Sequence, residues 1–165
     1  MRAVVWTVAG CLATLSGGCN SIEKAERRVA EEKAQLPDPG PITAEIHQAQ
    51  RDWAWVTGSR WTLALIEGEP VLDDATITLA FGEHTWLRGS SGCNTYSGSY
   101  ARFGVWGLRV HDVGATKMFC GEPEGVMQQE SRFLRLLESA GEYQATRETL
   151  HLLRDGRVVL SFVAE

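Results

Sequence analysis

The sequence predicts a mainly β fold of the α+β class: antiparallel strands with one amphipathic helix packed on them, preceded by a helical tether. Three observations carry this expectation. From Ser59 onward, short runs of alternating apolar and polar residues are divided by turn residues, the pattern of antiparallel strands. Between Pro123 and Ala140 the apolar period changes from two to three and four, the spacing of a helix with one buried face. Ahead of Ser59 lie helix formers with dense mixed charge and few apolar residues.

With 165 residues, 44% of them hydrophobic, the chain can bury one core and not comfortably two. Its formal net charge is -5, with acids and bases interspersed, which speaks against a phosphate-backbone partner; no nucleic acid is expected.

The N-terminus has the layout of an export signal. Arg2 is followed by an apolar run from Ala3 to Leu15 and then by Ser16-Gly17-Gly18 before Cys19. The run is shorter than the roughly 20 residues a spanning helix needs. A small-residue pair directly before a cysteine resembles the lipobox of bacterial lipoproteins, in which the cysteine is lipidated. Ser16 departs from that pattern, which places a large aliphatic residue three before the cysteine. Val8-Ala9-Gly10-Cys11 fits locally but leaves only Ala3 to Thr7 as the apolar segment. Cys19 is therefore the expected lipidation site, with an ordinary cleaved signal and an unmodified Cys19 as the alternative. Asn20, where an aspartate would stand otherwise, points to the outer membrane, the domain facing the periplasm.

Residues 1–18 are thus read as a lipoprotein-type signal peptide and 19–58 as tether and helical lead-in, with the domain proper at 59–165. From Asn20 to about Gln35 a solvated helical stalk is expected, and Pro37, Pro39 and Pro41 around Gly40 end it. A second helical stretch, Ile42 to about Trp55, carries Ile46, Ala49 and Trp53 as a weak apolar stripe. A chain beginning near Trp53 is expected to melt much as the longer one does.

Within the domain, "RWTLALIEG" is the first strand, closed by Gly68-Glu69-Pro70. "ATITLAFG" places Ile77, Leu79 and Phe81 on one face, and it pairs with "HTWLRGS" across a hairpin at Gly82-Glu83. "GLRVHDVG" points Leu108 and Val110 one way, with either Asp112 or a register shift following. The helix carries Val126, Met127, Glu130, Phe133, Leu134 and Leu137 on its stripe, and Gly141 is expected to stop it. "TLHLLRDG" and "RVVLSFVA" close the chain as a hairpin through Asp155-Gly156. Trp61 and Trp86 are expected in the core, and the stretch from Gly89 to Tyr100 is read as a loop.

If Cys11 leaves with the signal and Cys19 is lipidated, Cys93 and Cys120 remain, and in an oxidising compartment an isolated pair is most simply a disulfide. Two competing readings want partners. A zinc site needs about four ligands at characteristic spacing, and Cys93, His111 and Cys120 form no CxxC or HxxxH pair. A catalytic thiol needs a base held by a third group, for which His111 is the one candidate. Neither a metal nor a cofactor is expected, and no residue is assigned as catalytic.

"GCNTYSGSY", then "GLRVHDVGATKMFC", the helix "EGVMQQESRFLRLLESAGEYQ" and the paired strands "ETLHLLRDG" and "VVLSFV" together resemble the META domain, also called HslJ-like, over roughly Ser59 to Ala164. Gly92, Cys93, Asn94, Tyr96, Gly98 and Tyr100 match its Gly-Cys-Asn signature, and Thr116, Met118 and Cys120 match its Thr-x-Met-x-Cys one. Phe119 stands where that family usually has a small residue. The resemblance implies a small antiparallel, barrel-like sheet with one packed helix. It also implies a cell-envelope lipoprotein linked with stress or drug tolerance, without established enzymatic activity. On physical grounds Gly92 and Gly98 suit turn geometry, Asn94 can bond its own backbone to hold the bend, and Tyr96 and Tyr100 suit packing over the disulfide or a recognition surface. The function expected is that of a lipid-anchored envelope domain that binds or supports an unknown envelope protein. A small-ligand or inhibitor module using the barrel mouth is the alternative, a thiol enzyme the remote one. The oligomeric state is left open.

Overall fold

Strand β1, Arg60–Ile66, buries Trp61 and Leu63 by alternation, and a register slip after Leu63 turns Ile66 inward in place of Leu65. It ends at Glu67 and Gly68, both with positive φ, and the chain turns back into the two-residue β2, Glu69–Pro70. The computed structural model to which these strands belong describes residues 40–165 together with Arg27. The expected signal segment, Cys19 and nearly all of the stalk lie outside the described residues.

Seven more strands follow: β3 (Thr78–Phe81), β4 (Trp86–Ser90), β5 (Thr95–Phe103), β6 (Gly107–Ala115), β7 (Glu142–Ala145), β8 (Thr149–Arg154) and β9 (Arg157–Ala164). Each pairs antiparallel with its neighbour in the order β2-β1-β3-β4-β5-β6-β7-β8-β9, and β9 also returns to β1. The strands therefore form a ring, which leaves few open edges. It is not a barrel, since β6 and β7 meet only at Gly107 and Glu142.

The predicted faces are present. Ile77, Leu79 and Phe81 are all buried, and Asp155 and Gly156 take the two positive φ values, 52° and 73°, that a tight hairpin needs. At Asp112 the register-shift alternative is realised: φ is 56°, the ladder slips between Ser97 and Ser99, and the Asp112 side chain faces water. The turn after Phe81 is a short 3-10 helix, Glu83–Thr85. Three strands were not legible, the first being β2, which the sequence reads as the turn closing β1. β5 runs through the stretch read as a loop, and β7 is four residues long with only Tyr143 buried. Trp86, expected inside, is 38% exposed.

Helix α1, Gly40–Gly58, belongs to the same compact unit as the sheet, Gly40–Glu165. The helical lead-in expected from Ile42 to about Trp55 is this helix, a little longer at both ends. Ala49 and Val56 are buried, and Trp53 lies against Phe81, Tyr100 and Tyr143 with ring centroids 5.2, 5.4 and 5.0 Å away. The Arg102 guanidinium sits 4.5 Å from the Trp53 ring centre and donates to the Tyr143 hydroxyl at 2.8 Å. The indole of Trp61 donates to the Val56 carbonyl, tying the helix end to β1. Ile46, by contrast, is exposed.

Helix α2, Val126–Ser139, buries Val126, Glu130, Phe133, Leu136 and Leu137, close to the predicted stripe. Gly141 is not what stops it. Ala140 already leaves the helix with extended geometry, and the Gly141 amide is taken by the Leu153 carbonyl of β8, so strand pairing ends the helix.

Candidate functional site

Gly92, Cys93 and Asn94 of the Gly-Cys-Asn signature occupy the turn from β4 to β5, and Tyr96, Gly98 and Tyr100 lie on β5. The Ser91 amide donates to the Asn94 carbonyl at 2.7 Å, and Gly92, with φ at 105°, makes the reversal that a side chain would oppose. Cys93 is disulfide-bonded to Cys120, with Cα atoms 5.9 Å apart. The turn is thereby fastened to the segment that follows β6.

Asn94 supplies the second fastening, and not in the way its sequence context suggested. Its side chain spans to the neighbouring segment instead of bonding its own backbone. Oδ1 accepts from the Met118 amide and the Thr116 hydroxyl, both at 2.7 Å, and Nδ2 donates to the Met118 carbonyl at 3.2 Å and to Glu130 Oε1 at 2.8 Å. All four hydrogen-bonding capacities of the amide are used. Glu130 is buried on the inner face of α2, where its Oε2 accepts from the Asn94 amide at 2.9 Å and lies 2.6 Å from Ser91 Oγ. A buried carboxyl needs such partners.

The consequence is a segment, Thr116 to Cys120, held by a disulfide and by both backbone groups of Met118, whose apolar side chains nonetheless face water. Met118 is 61% exposed and Phe119 85%. Tyr96 and Tyr100, by contrast, are core residues. Tyr96 stacks edge-on against Phe133 and donates to the Thr78 carbonyl, while Tyr100 meets Phe81 and Trp53 and donates to the Gly82 carbonyl. Burial pushes the Tyr96 phenol far above its ordinary range; it also raises Tyr100, which the Arg102 charge partly opposes. Gly98 sits at the β5–β6 irregularity, where a Cβ would come within 3.0 Å of Val113 Cγ2.

His111 lies across the ladder from Ser99, and its Nδ1 is 2.8 Å from Asp112 Oδ2 on the exposed surface. Both thiols that it could have served are consumed in the disulfide. Sequence reasoning missed Ser91 and Glu130. The legible signal for Glu130 was a carboxylate on an otherwise apolar helix stripe, which calls for a polar partner inside. Also missed was a depression of about 710 Å³ on the outer face of the sheet, over β3 to β6, flanked by Arg60 and Arg88.

The fold and this doubly fastened turn define a small ring-shaped β domain with a braced surface segment. The sequence model of the META domain matches residues 54–165, and the chain belongs to the META domain family. Among solved structures, it is similar to a protein from Burkholderia xenovorans determined by NMR, at 26% identity and a TM-score of 0.53 over 79% of this chain and 92% of that one. A second NMR structure gives 23% identity and a TM-score of 0.53, covering 67% and 92% of the two chains, which supports the fold alone. No curated protein matches the chain.

Proposed function

We propose that this chain is a non-catalytic, lipid-anchored module of the cell envelope, tethered through Cys19, that binds another envelope protein in support of stress or drug tolerance. One observation carries the binding part: a disulfide, a fully used asparagine amide and a buried carboxyl all act to immobilise a segment that presents Met118 and Phe119 to water. Polar groups committed in this way ordinarily secure a core. Here they hold the backbone beneath exposed apolar side chains, and a backbone fixed before contact lowers the ordering cost of association. The absence of assigned chemistry rests on two features: both domain thiols are in the disulfide, and the one side-chain hydrogen bond of His111 among the described residues goes to Asp112, on the exposed surface.

The test replaces Phe119 by a photo-crosslinking phenylalanine analogue in the whole chain in cells, with Val163, exposed on β9, as the control position. A discrete adduct from position 119 and none from 163 is expected. Phe119→Ser should lose complementation of an envelope-stress or drug-sensitivity phenotype while its melting temperature stays unchanged, because a side chain so exposed contributes within about 0.5 kcal/mol to folding. Full complementation by Phe119→Ser would overturn the reading. A palmitate label that survives Cys19→Ser would overturn the anchoring.

A further inference from the structure

We infer that the outer face of β3, β4 and β5 is a binding site for an acidic saccharide, a sugar bearing carboxylate or phosphate. The inference is independent of the Phe119 surface and rests on strand register. Arg60 of β1 pairs with Ala80 of β3, Ala80 with Arg88 of β4, and Arg88 with Ser97 of β5. Register partners share a face, so these side chains form one row on the outside of the sheet, opposite the face that holds Leu79, Leu87 and Tyr96. Arg60 and Arg88 therefore stand two strand spacings apart, roughly 10 Å at the backbone, with only the methyl of Ala80 between them. The depression of about 710 Å³ lies there.

The chemistry of the lining is donor-rich. Arg88 makes no ion pair among the described residues, and its guanidinium lies 4.9 Å from the centre of the Trp86 ring on the same face. Arg60 meets Glu165 loosely, at 3.6 Å, and its side chain stays 63% exposed. In the adjoining row the Thr78 hydroxyl accepts from the Ser90 amide, and the Ser90 hydroxyl accepts from the Gly92 amide at 3.3 Å. Each hydroxyl keeps its own proton without an acceptor in the described residues, and so does Ser97. Two guanidinium groups and three donating hydroxyls converge on a hollow in a chain whose net charge is -5. Guanidinium forks suit carboxylate and phosphate, and hydroxyl donors suit sugar oxygens.

The test is a titration of the isotope-labelled whole chain followed through its backbone amides, with four probes: trigalacturonate, glucosamine 6-phosphate, maltotriose and inorganic phosphate. An acidic sugar is expected to shift the amides of Ser90, Ser97 and Gly114 saturably, at least about ten-fold more tightly than maltotriose or phosphate. Arg88→Ala is expected to weaken that binding by about ten-fold or more without lowering the melting temperature, with Arg88→Lys intermediate because the fork is lost and the charge kept. The inference is overturned if neither acidic sugar shifts these amides at about 10 mM, or if the shifts persist unchanged in Arg88→Ala. Phosphate binding as tightly as both sugars would also overturn it, reducing the hollow to a plain anion site. None of these outcomes bears on crosslinking from position 119.

Discussion

Asn94 shows how much one side chain can organise. It reads as a turn residue, yet each of its four hydrogen-bonding capacities goes to Thr116, Met118 or Glu130. Asn94→Ala leaves Glu130 Oε1 without its donor and releases Met118, and a loss of about 2–4 kcal/mol in chemical denaturation is expected. Tyr96 makes a different demand. Its buried phenol keeps its proton in the folded chain, whereas an unfolded tyrosine releases it from about pH 10. Above that pH the unfolded state binds fewer protons, so this contribution is complete below about pH 10 and declines as pH rises further. Tyr143, raised by burial against the opposing Arg102 charge, acts in the same direction. Stability measured from pH 7 to 11 should fall at the alkaline end. Tyr96→Phe should lessen that fall while costing about 1 kcal/mol at neutral pH, through the lost bond to the Thr78 carbonyl.

Among the elements, α1 departs most from its sequence reading. Only a weak stripe was visible, and one member, Ile46, turns out exposed. The helix holds because Trp53 enters a cluster of Phe81, Tyr100 and Tyr143, three rings from β3, β5 and β7, with Arg102 stacked upon it. No periodicity in α1 could reveal a pocket built by distant strands. A chain beginning at Trp53 is therefore expected to lose Ala49 and most helical turns that position the indole, melting well below the whole protein instead of beside it. Trp53→Ala should cost about 2–4 kcal/mol, somewhat under the figure for a fully buried ring. Equal melting curves for the truncated and whole chains would show that the turns of α1 before Trp53 contribute nothing to the core.

At the scale of the molecule, the ring and the disulfide do separate work. Closure through β1 and β9 joins the first strand to the last, while Cys93 and Cys120 join the β4–β5 turn to the segment beyond β6. A separation of 27 residues corresponds to about 3.5 kcal/mol of loop entropy removed from the unfolded chain. The double variant Cys93→Ser, Cys120→Ser is expected to fold with the same ring and to melt roughly 10–15 °C lower. Its amide exchange should rise most at Met118 and Phe119, which lose one of their two fastenings. Alkylation of Cys93 or Cys120 in the unreduced native chain would contradict the bridge.

The sequence by itself determined the class of fold, the hairpin at Asp155-Gly156, the inward face of β3, the stripe of α2 and the pairing of its two domain cysteines, because these depend on local periodicity, turn chemistry and counting. It also carried the family resemblance. Strand β5 escaped because Ser97, Gly98 and Ser99 dilute the alternation of Tyr96 and Tyr100, and β7 because four residues hold too few positions to show a period. Only the tertiary structure decided that β9 returns to β1, that Trp53 belongs to the core, that Asn94 bridges Met118 and the buried Glu130, and that Arg60 and Arg88 share a row. Each of these joins residues far apart along the chain, and no local pattern records which strand will lie beside which.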